Sequence, residues 1–364
     1  MGHRHFLITW QLPLVALALF AAGGCSAPIK TATMSQMPAN FSEAARLKRV
    51  VVLKFDTGGG NPRDRRSESG HDITSELEAQ LAGVLINGQP HFTVVERARM
   101  NEALKEMRLA ESGALDATTA SQLGKMVAAN GVYMGSVAQD TATDERYSER
   151  RSNCAQYKQE KDSKGRTYDG ACQRWVDSQV SCVKRSATFA FTPRLVNVER
   201  GTIAYTKVIS KTVNVSSCSD QGQQMSSADE LRRQARQQAL QEFRQDIAPY
   251  SNRVEIALMN STDGIVQSAA KDRFAGSLEF ARANRLDRAC EIWRDLAASE
   301  GSSPALLYNR GTCAEVGGNL EEALELYGRA DRLLAKPDPT ISAGLIRVRE
   351  AQAARAKAQG QVSR

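Results

Sequence analysis

The chain has 364 residues, of which 41% are hydrophobic and 24% are charged, an ordinary globular composition with enough length for two domains. This composition excludes a fibrous or a disordered protein. The formal net charge is +7, but basic and acidic residues are interleaved, so no segment forms the one-sided basic surface that nucleic-acid binding requires. Only His71 and His91 lie beyond the first five residues, which excludes a metal site built from several histidines.

The N-terminus has the pattern of an export and lipidation signal. A short basic start is followed by an apolar run from Phe6 to Ala22 and then by Gly23-Gly24-Cys25. This pattern predicts a signal peptide over residues 1–24. The small residues before the cysteine resemble the bacterial lipobox, which implies cleavage in front of Cys25 and its acylation, with palmitate as an acyl chain. The alternative is a signal anchor with an incidental cysteine, but the run is short for a membrane-spanning helix.

The residue after the lipobox cysteine bears on the membrane that is reached. Ser26 stands where an aspartate retains enterobacterial lipoproteins at the inner membrane, so the resemblance implies the outer membrane, facing the periplasm. Several acyl chains would make a firm anchor. Residues 25–45 are then predicted to be the lipidated cysteine and a polar tether.

Residues 46–250 are predicted to form an α/β domain. Strands are indicated by the β-branched runs Arg49 to Phe55, Phe92 to Glu96 and Val132 to Val137. Between these runs, apolar residues recur at helical spacing. The resulting order β-α-β-α-α-β predicts α/β packing.

Several motifs of this domain occur in the order found in the CsgG-like family of bacterial periplasmic lipoproteins, which includes the curli secretion channel subunit. The residues that carry the resemblance are the runs 50–55, 92–99, 104–106, 116–124 and 131–137, the pair 187–198 and 201–213, and the helix on Leu231, Ala235, Ala239, Phe243 and Ile247. The resemblance implies an α/β sandwich in an envelope protein. It implies no reaction, because a fold does not fix a function.

The resemblance also raises an alternative function, an oligomeric secretion channel subunit or an accessory transport component. A strand that crosses a membrane needs about 9–11 residues of alternating polarity. The hairpin over residues 187–213 meets this requirement in part, although Pro193, Lys207 and Lys211 interrupt its apolar faces. A half-buried sheet explains the same pattern. A second candidate, residues 139–182, carries too many charges to face lipid.

Residues 139–184 are therefore predicted to be a polar, cysteine-rich insertion. The spacing of its cysteines matches no paired zinc motif, which favours two disulfides over a metal site, with three pairings open: Cys154, Cys172, Cys182 and the nearby Cys218. So polar a loop cannot bury enough apolar area to hold one shape, and cross-links would supply its order. Tyr157, Tyr168 and Trp175 either contact a partner or pack against the sheet.

No catalytic constellation is visible in the sequence. The Gly58-Gly59-Gly60 loop lacks the lysine and hydroxyl residue of a phosphate-binding loop. No Ser/His/Asp set or paired active-site carboxylates occur, and His71 and His91 are isolated. The chain is therefore predicted not to be an enzyme and to need no cofactor.

Residues 265–356 are predicted to form an all-α domain of helical hairpins. A 34-residue self-similarity relates Ala289 and Trp293 to Ala323 and Tyr327 and resembles the tetratricopeptide repeat. Two repeats and a capping helix are fewer than the three or so units that normally form a binding groove, so partner binding and simple packing on the first domain both stay open.

Two further features belong to this C-terminal region. Cys290 and Cys313 flank the turn near Gly301 at comparable distances, which fits either a disulfide across the hairpin or two buried free thiols. Residues 357–364 are polar and are predicted to be a flexible tail.

These observations predict a non-enzymatic, outer-membrane-anchored periplasmic lipoprotein that acts as a protein-binding scaffold or assembly factor and contacts an envelope protein or peptide. A homo-oligomer is compatible with this function and is required by the channel alternative. The candidate partner contacts are Tyr168 and Trp175 in the insertion and Tyr308, Asn309 and Arg310 in the repeats.

Overall fold

The computed structural model describes residues 28–57, 73–107, 115–222 and 224–363. The predicted signal peptide, Cys25, the Gly58-Gly59-Gly60 loop and His71 lie outside these ranges. The described residues divide into two compact units, one made of residues 28–33 with 255–345 and the other of residues from 34 to 254 with 346–363. None of the described helices has both the length and the apolar character needed to cross a bilayer.

The strands and helices follow one another in an α/β region and then a helical region. The strands are β1 (Lys30–Met37), β2 (Arg49–Val52), β3 (Asp56–Thr57), β4 (Leu85–Ile86), β5 (Gln89–Pro90), β6 (Thr93–Val94), β7 (Gly131–Lys161), β8 (Thr167–Asn197), β9 (Thr202–Thr206), β10 (Ile209–Cys218) and β11 (Tyr250–Ala257). The helices are α1 (Ser42–Arg46), α2 (Ile73–Ala82), α3 (Arg97–Glu106), α4 (Ala117–Met126), α5 (Ala228–Ile247), α6 (Ser268–Arg282), α7 (Leu286–Leu296), α8 (Pro304–Val316), α9 (Leu320–Arg332) and α10 (Pro339–Val362).

The central sheet of the larger unit is mixed. Its strand order is β10-β8-β7-β2-β6, with β3 paired to β7 and β9 paired to β8. Strand β2 is parallel to both β6 and β7, whereas β7, β8 and β10 are antiparallel neighbours. The parallel half carries the helical crossovers, as parallel strands require.

Helices cover both faces of this sheet. Successive residues of β2 are apolar and their side chains alternate between the faces, so both faces have apolar residues to bury. On one face Val50 and Val52 join a core formed with α2 and α5, where the Phe243 ring lies 5.6 Å from the Tyr133 ring. On the other face Val51 and Leu53 pack with α3 and α4. The sequence-predicted α/β packing is confirmed.

The hairpin that the channel alternative would place in lipid is part of this core. Phe189, Phe191, Tyr205 and Ile209 are all buried in the cluster that includes α5. Phe191 lies 6.1 Å from Phe243, measured between ring centroids. The apolar face of the hairpin is therefore covered by α5, a helix of the same unit.

The insertion predicted at residues 139–184 is not a loop. Strands β7 and β8 each run for 31 residues and pair with each other almost to the ends. Polar side chains occupy both faces, so the segment lacks the hydrophobic alternation by which strands are recognised in sequence. Hydrogen bonds between the strands order most of its length, and a small buried cluster with Val180 and Cys182 lies near its base.

The prediction of a polar tether over residues 25–45 is wrong for the part that the structure describes, because this part is folded. Strand β1 pairs with β11, and Ala44 and Ala45 of α1 are fully buried. Ile29 is buried in the core of the helical region. The partner strand lies more than 200 residues away in sequence, so no local pattern could indicate the pairing.

Helices α6 to α9 and the start of α10 follow the α/β region. Trp293 is fully buried in their core, and the Tyr327 ring packs so close to Gly311 that an added Cβ there would lie 2.6 Å from its Cε1. Helix α10 continues to Val362, and the Gln361 side chain hydrogen-bonds to the backbone of Ala39. The tail predicted to be flexible from residue 357 is therefore helical over most of its length.

Candidate functional site

The outer part of the β7-β8 hairpin extends beyond the rest of the sheet as a two-stranded ribbon. Strand β10 pairs with β8 as far as Cys182. Beyond that point, the described segments Ser148–Lys161 and Thr167–Ser181 form strand pairs with each other alone. We call these segments and the turn between them the ribbon. At about 3.3 Å per residue, its first strand is about 45 Å long.

The turn at the end of the ribbon is organised by Asp162. Its Oδ1 accepts hydrogen bonds from the backbone N–H groups of Lys164 (2.8 Å) and Arg166 (2.9 Å), and its Oδ2 accepts one from Arg166 Nε at 2.8 Å. Gly165 takes a φ of 75°, which costs a glycine little. These hydrogen bonds hold the pKa of the Asp162 carboxyl below its usual value, so the charged form fixes the turn.

Two disulfides brace the ribbon. Cys154 and Cys172 join its strands near the outer end. Cys182 and Cys218 join β8 to β10 at its base, where they are buried with Val180. The predicted disulfides are therefore present, and the structure selects one of the three pairings left open by the sequence. The third disulfide joins Cys290 to Cys313 in the helical region.

Large aromatic side chains are exposed around the outer disulfide. The exposed fractions of Trp175, Tyr168 and Tyr157 are 64%, 50% and 45%. Trp175 lies directly opposite Cys154 in the strand register, and Tyr157 lies opposite Cys172. The interpretation that these aromatics pack against the sheet is wrong, because the ribbon has no apolar layer to receive them.

Charged residues surround these aromatics and form ion pairs across or along the ribbon. Arg150 pairs with Asp177 at 2.7 Å, and Lys158 pairs with Glu160 at 3.2 Å. Glu149 lies close to Cys182 and Cys218, but a disulfide has no thiolate to ligate a metal, so the oxidised cluster is not a metal centre. The ribbon is thus a water-facing arm with an aromatic end.

The partner-contact candidates in the helical region lie in a different environment. Tyr308 and Asn309 are buried, and Arg310 is half-buried. The Asn309 side chain hydrogen-bonds to both the N–H (2.9 Å) and the carbonyl (2.8 Å) of Met259, and Tyr308 stacks on Tyr327 at 4.8 Å. As partner contacts, Tyr308 and Asn309 are therefore wrong. The apolar run just before them, Ala305-Leu306-Leu307, was the signal that this helix is enclosed on most sides.

One exposed residue of the ribbon was missed by sequence reasoning. Val176 is 46% exposed beside Trp175. A Trp-Val pair between polar residues indicates a strand with an apolar contact point, but only where the strand itself has been recognised.

His91 does not offer a second reactive site. It is buried, and its Nε2 lies 3.0 Å from the Ala45 carbonyl oxygen. Burial lowers the pKa of its imidazole from 6.5 to about 4, so the ring stays neutral and structural at neutral pH.

The ribbon, the mixed sheet and its covering helices all lie within a recognised family domain. The family model described as "Curli production assembly/transport component CsgG" matches residues 39–264, which run from before α1 to beyond β11. Helices α6 to α10 follow this match. No individual curated protein matches the chain. Since the family model covers more than half of the sequence, the chain belongs to the CsgG family of curli assembly/transport components.

Proposed function

We propose that this chain is a non-enzymatic lipoprotein, anchored to the outer membrane and facing the periplasm, that acts as a protein-binding scaffold or assembly factor in the envelope. The family supports an envelope role in assembly or transport. The apolar run from Phe6 to Ala22 and the lipobox-like residues before Cys25 support export and a lipid anchor.

The observation that carries the proposal is the exposed aromatic end of a braced ribbon. Tryptophan and tyrosine are enriched among the residues that dominate binding energy at protein interfaces. Exposed aromatics held in fixed positions lose little conformational freedom when they bind. The Cys154–Cys172 disulfide constrains the backbone of the two strands at the positions opposite Trp175 and Tyr157. A protein partner is therefore the occupant that this surface suits.

The proposal predicts that the aromatic end is required for partner contact in cells. A photo-crosslinking residue at position 176 should give a discrete adduct with one envelope protein. Combining it with Trp175→Ser and Tyr168→Ser should reduce the adduct yield by about tenfold or more, because truncating such contacts commonly costs 2 kcal/mol or above. Adduct yield and the partner's identity are read by mass spectrometry.

Phe280→Ser provides the matched control, since Phe280 is an exposed aromatic (41%) on α6, outside the ribbon. Its adduct yield should equal that of the parent. An unchanged yield after the Trp175 and Tyr168 substitutions would reject the ribbon as the contact surface.

A second candidate function is a CsgG-type channel subunit or accessory transport component. It is favoured by strand length, because the ribbon strands exceed the about 9–11 residues that a membrane crossing requires. Against it, Arg150, Arg151 and Lys158 lie on the ribbon, and basic residues facing lipid at mid-depth cost about 2–4 kcal/mol each. The scaffold proposal places these charges in water.

The two functions differ in the solubility of an unanchored form. A Cys25→Ser chain exported with a replaced, non-lipoprotein signal should sediment without detergent as a soluble monomer or small oligomer if the chain is a scaffold. A large ring that forms only in detergent would establish the channel alternative. The wild-type chain, fractionated in parallel, should stay with the outer membrane.

A further inference from the structure

A cleft of about 280 Å³ lies in the helical region, between α7, α8 and the start of α9. Its walls include the Cys290–Cys313 disulfide, Arg294, Arg310, Asn319 and Glu322. The disulfide links α7 covalently to α8, with the Cα atoms of Cys290 and Cys313 5.9 Å apart. Neither the ribbon nor any residue of the central sheet contributes to it.

Helical spacing places both guanidinium groups beside the disulfide. Arg294 follows Cys290 by four residues on α7, and Arg310 precedes Cys313 by three on α8. Residues at these spacings share one face of a helix. The two arginines therefore approach the cleft from its two facing helices.

Both arginines lack partners within the described residues. Arg288, on the same helix as Arg294, pairs with Glu291, and Arg273 pairs with Asp295. Arg294 and Arg310 form no ion pair or hydrogen bond with described side chains, although both line the same cleft. Arg294 is exposed and Arg310 is half-buried, so both guanidinium groups can reach an anion that enters the cleft.

The one carboxylate in the cleft wall is engaged elsewhere. Glu322 accepts a hydrogen bond from Asn319 Nδ2 at 2.9 Å, and its own N–H donates to Asn319 Oδ1 at 3.2 Å, so both residues form the N-terminal cap of α9. It does not neutralise either arginine. The cleft wall keeps a net positive charge.

We propose that this cleft binds a carboxylate of an acidic peptide segment, held between Arg294 and Arg310. The planar guanidinium fork matches a carboxylate with two parallel hydrogen bonds. The volume is at the lower limit of pockets for organic ligands, about 300 Å³, which suits one residue better than a larger molecule. This site is separate from the ribbon and extends the function beyond the contact proposed there.

Peptide binding to the purified Cys25→Ser chain tests the inference without requiring a known partner. The probe is Ac-Gly-Glu-Glu-Gly-NH₂, and Ac-Gly-Gln-Gln-Gly-NH₂ is its uncharged isostere; arginine Nε–Hε resonances in NMR titrations give the dissociation constants. The glutamate peptide should bind at least about tenfold more tightly. Ac-Gly-Gln-Gln-Gly-OH, with a free C-terminal carboxylate, shows whether a chain terminus can replace the side chains.

Two variants locate the binding. Arg294→Gln and Arg310→Gln should each weaken the glutamate peptide by about fivefold or more, whereas Arg329→Gln, an exposed arginine on α9 outside the cleft, should leave it unchanged. Equal binding of the charged and uncharged peptides, or wild-type affinity in both cleft variants, would overturn the proposal. So would inorganic phosphate that binds these arginines more tightly than the peptide, because the site would then select phosphate. None of these results depends on the ribbon.

Discussion

Replacing Asp246 with alanine should lower the free energy of unfolding of the α/β unit by about 2–3 kcal/mol, because it removes a fully buried carboxylate and leaves the buried Tyr205 hydroxyl without its acceptor. The Asp246 carboxylate accepts hydrogen bonds from Lys207 Nζ at 2.9 Å, the Tyr205 hydroxyl at 3.1 Å and Asn40 Nδ2 at 2.7 Å. Alanine would leave these three donors without the acceptor on which they converge.

Among the described residues, the hydrogen bond that the Tyr205 hydroxyl donates goes to Asp246. Burial, followed by the nearby Asp246 charge, raises the pKa of the Tyr205 hydroxyl, so this group stays a donor at any physiological pH. Lys207 also pairs with Glu242 at 2.8 Å and keeps that contact. The predicted loss therefore comes chiefly from the buried Tyr205 hydroxyl, because the exposed Asn40 amide can hydrogen-bond to water.

Urea denaturation followed by far-UV circular dichroism, with hydrogen exchange of α5 peptides, measures this effect. Asp229→Ala is the matched control, because Asp229 lies on the same helix, is largely exposed and pairs with Arg232 at the surface. Exposed pairs contribute about 0–1 kcal/mol. A loss below 1 kcal/mol for Asp246→Ala would show that the buried carboxylate does not hold these elements together.

The parts of the fold that could be predicted from the sequence are those with strong local periodicity. The run from Val50 to Leu53 alternates between two buried layers, and α5 buries one apolar stripe through Ala235, Ala239 and Phe243. Both patterns lie within a few residues, so propensity and hydrophobic spacing suffice. The α/β class follows from them.

The remaining features depend on contacts that are distant in sequence. The pairing of β1 with β11 joins chain segments more than 200 residues apart, and the disulfide pairing depends on a strand register that composition does not encode. Trp175 and Tyr168 could be nominated by residue type alone. Their exposure could not, because it follows from a polar ribbon that has no packing layer.

Removing the inner disulfide should have the second large effect. The Cys182→Ala, Cys218→Ala variant should lose about 3–4 kcal/mol of stability, since the disulfide closes a loop of 36 residues and is buried. This loop contains the paired segments of β8 and β10 and the β9 strand, so its closure restricts the unfolded chain over much of the sheet. Urea denaturation measures the change.

The outer disulfide is the matched control, and the contrast between the two tests the ribbon as an independent element. Between Val180 and the turn at the outer end, the ribbon residues belong to none of the buried clusters of the α/β unit. The Cys154→Ala, Cys172→Ala variant should therefore change the unfolding free energy of the α/β unit by less than about 1 kcal/mol. Hydrogen exchange should instead quicken within the ribbon alone. If both variants lower stability equally, the ribbon unfolds together with the sheet. The aromatic end would then depend on the whole sheet for its position, and its local disulfide would contribute little to holding Trp175 ready for a partner.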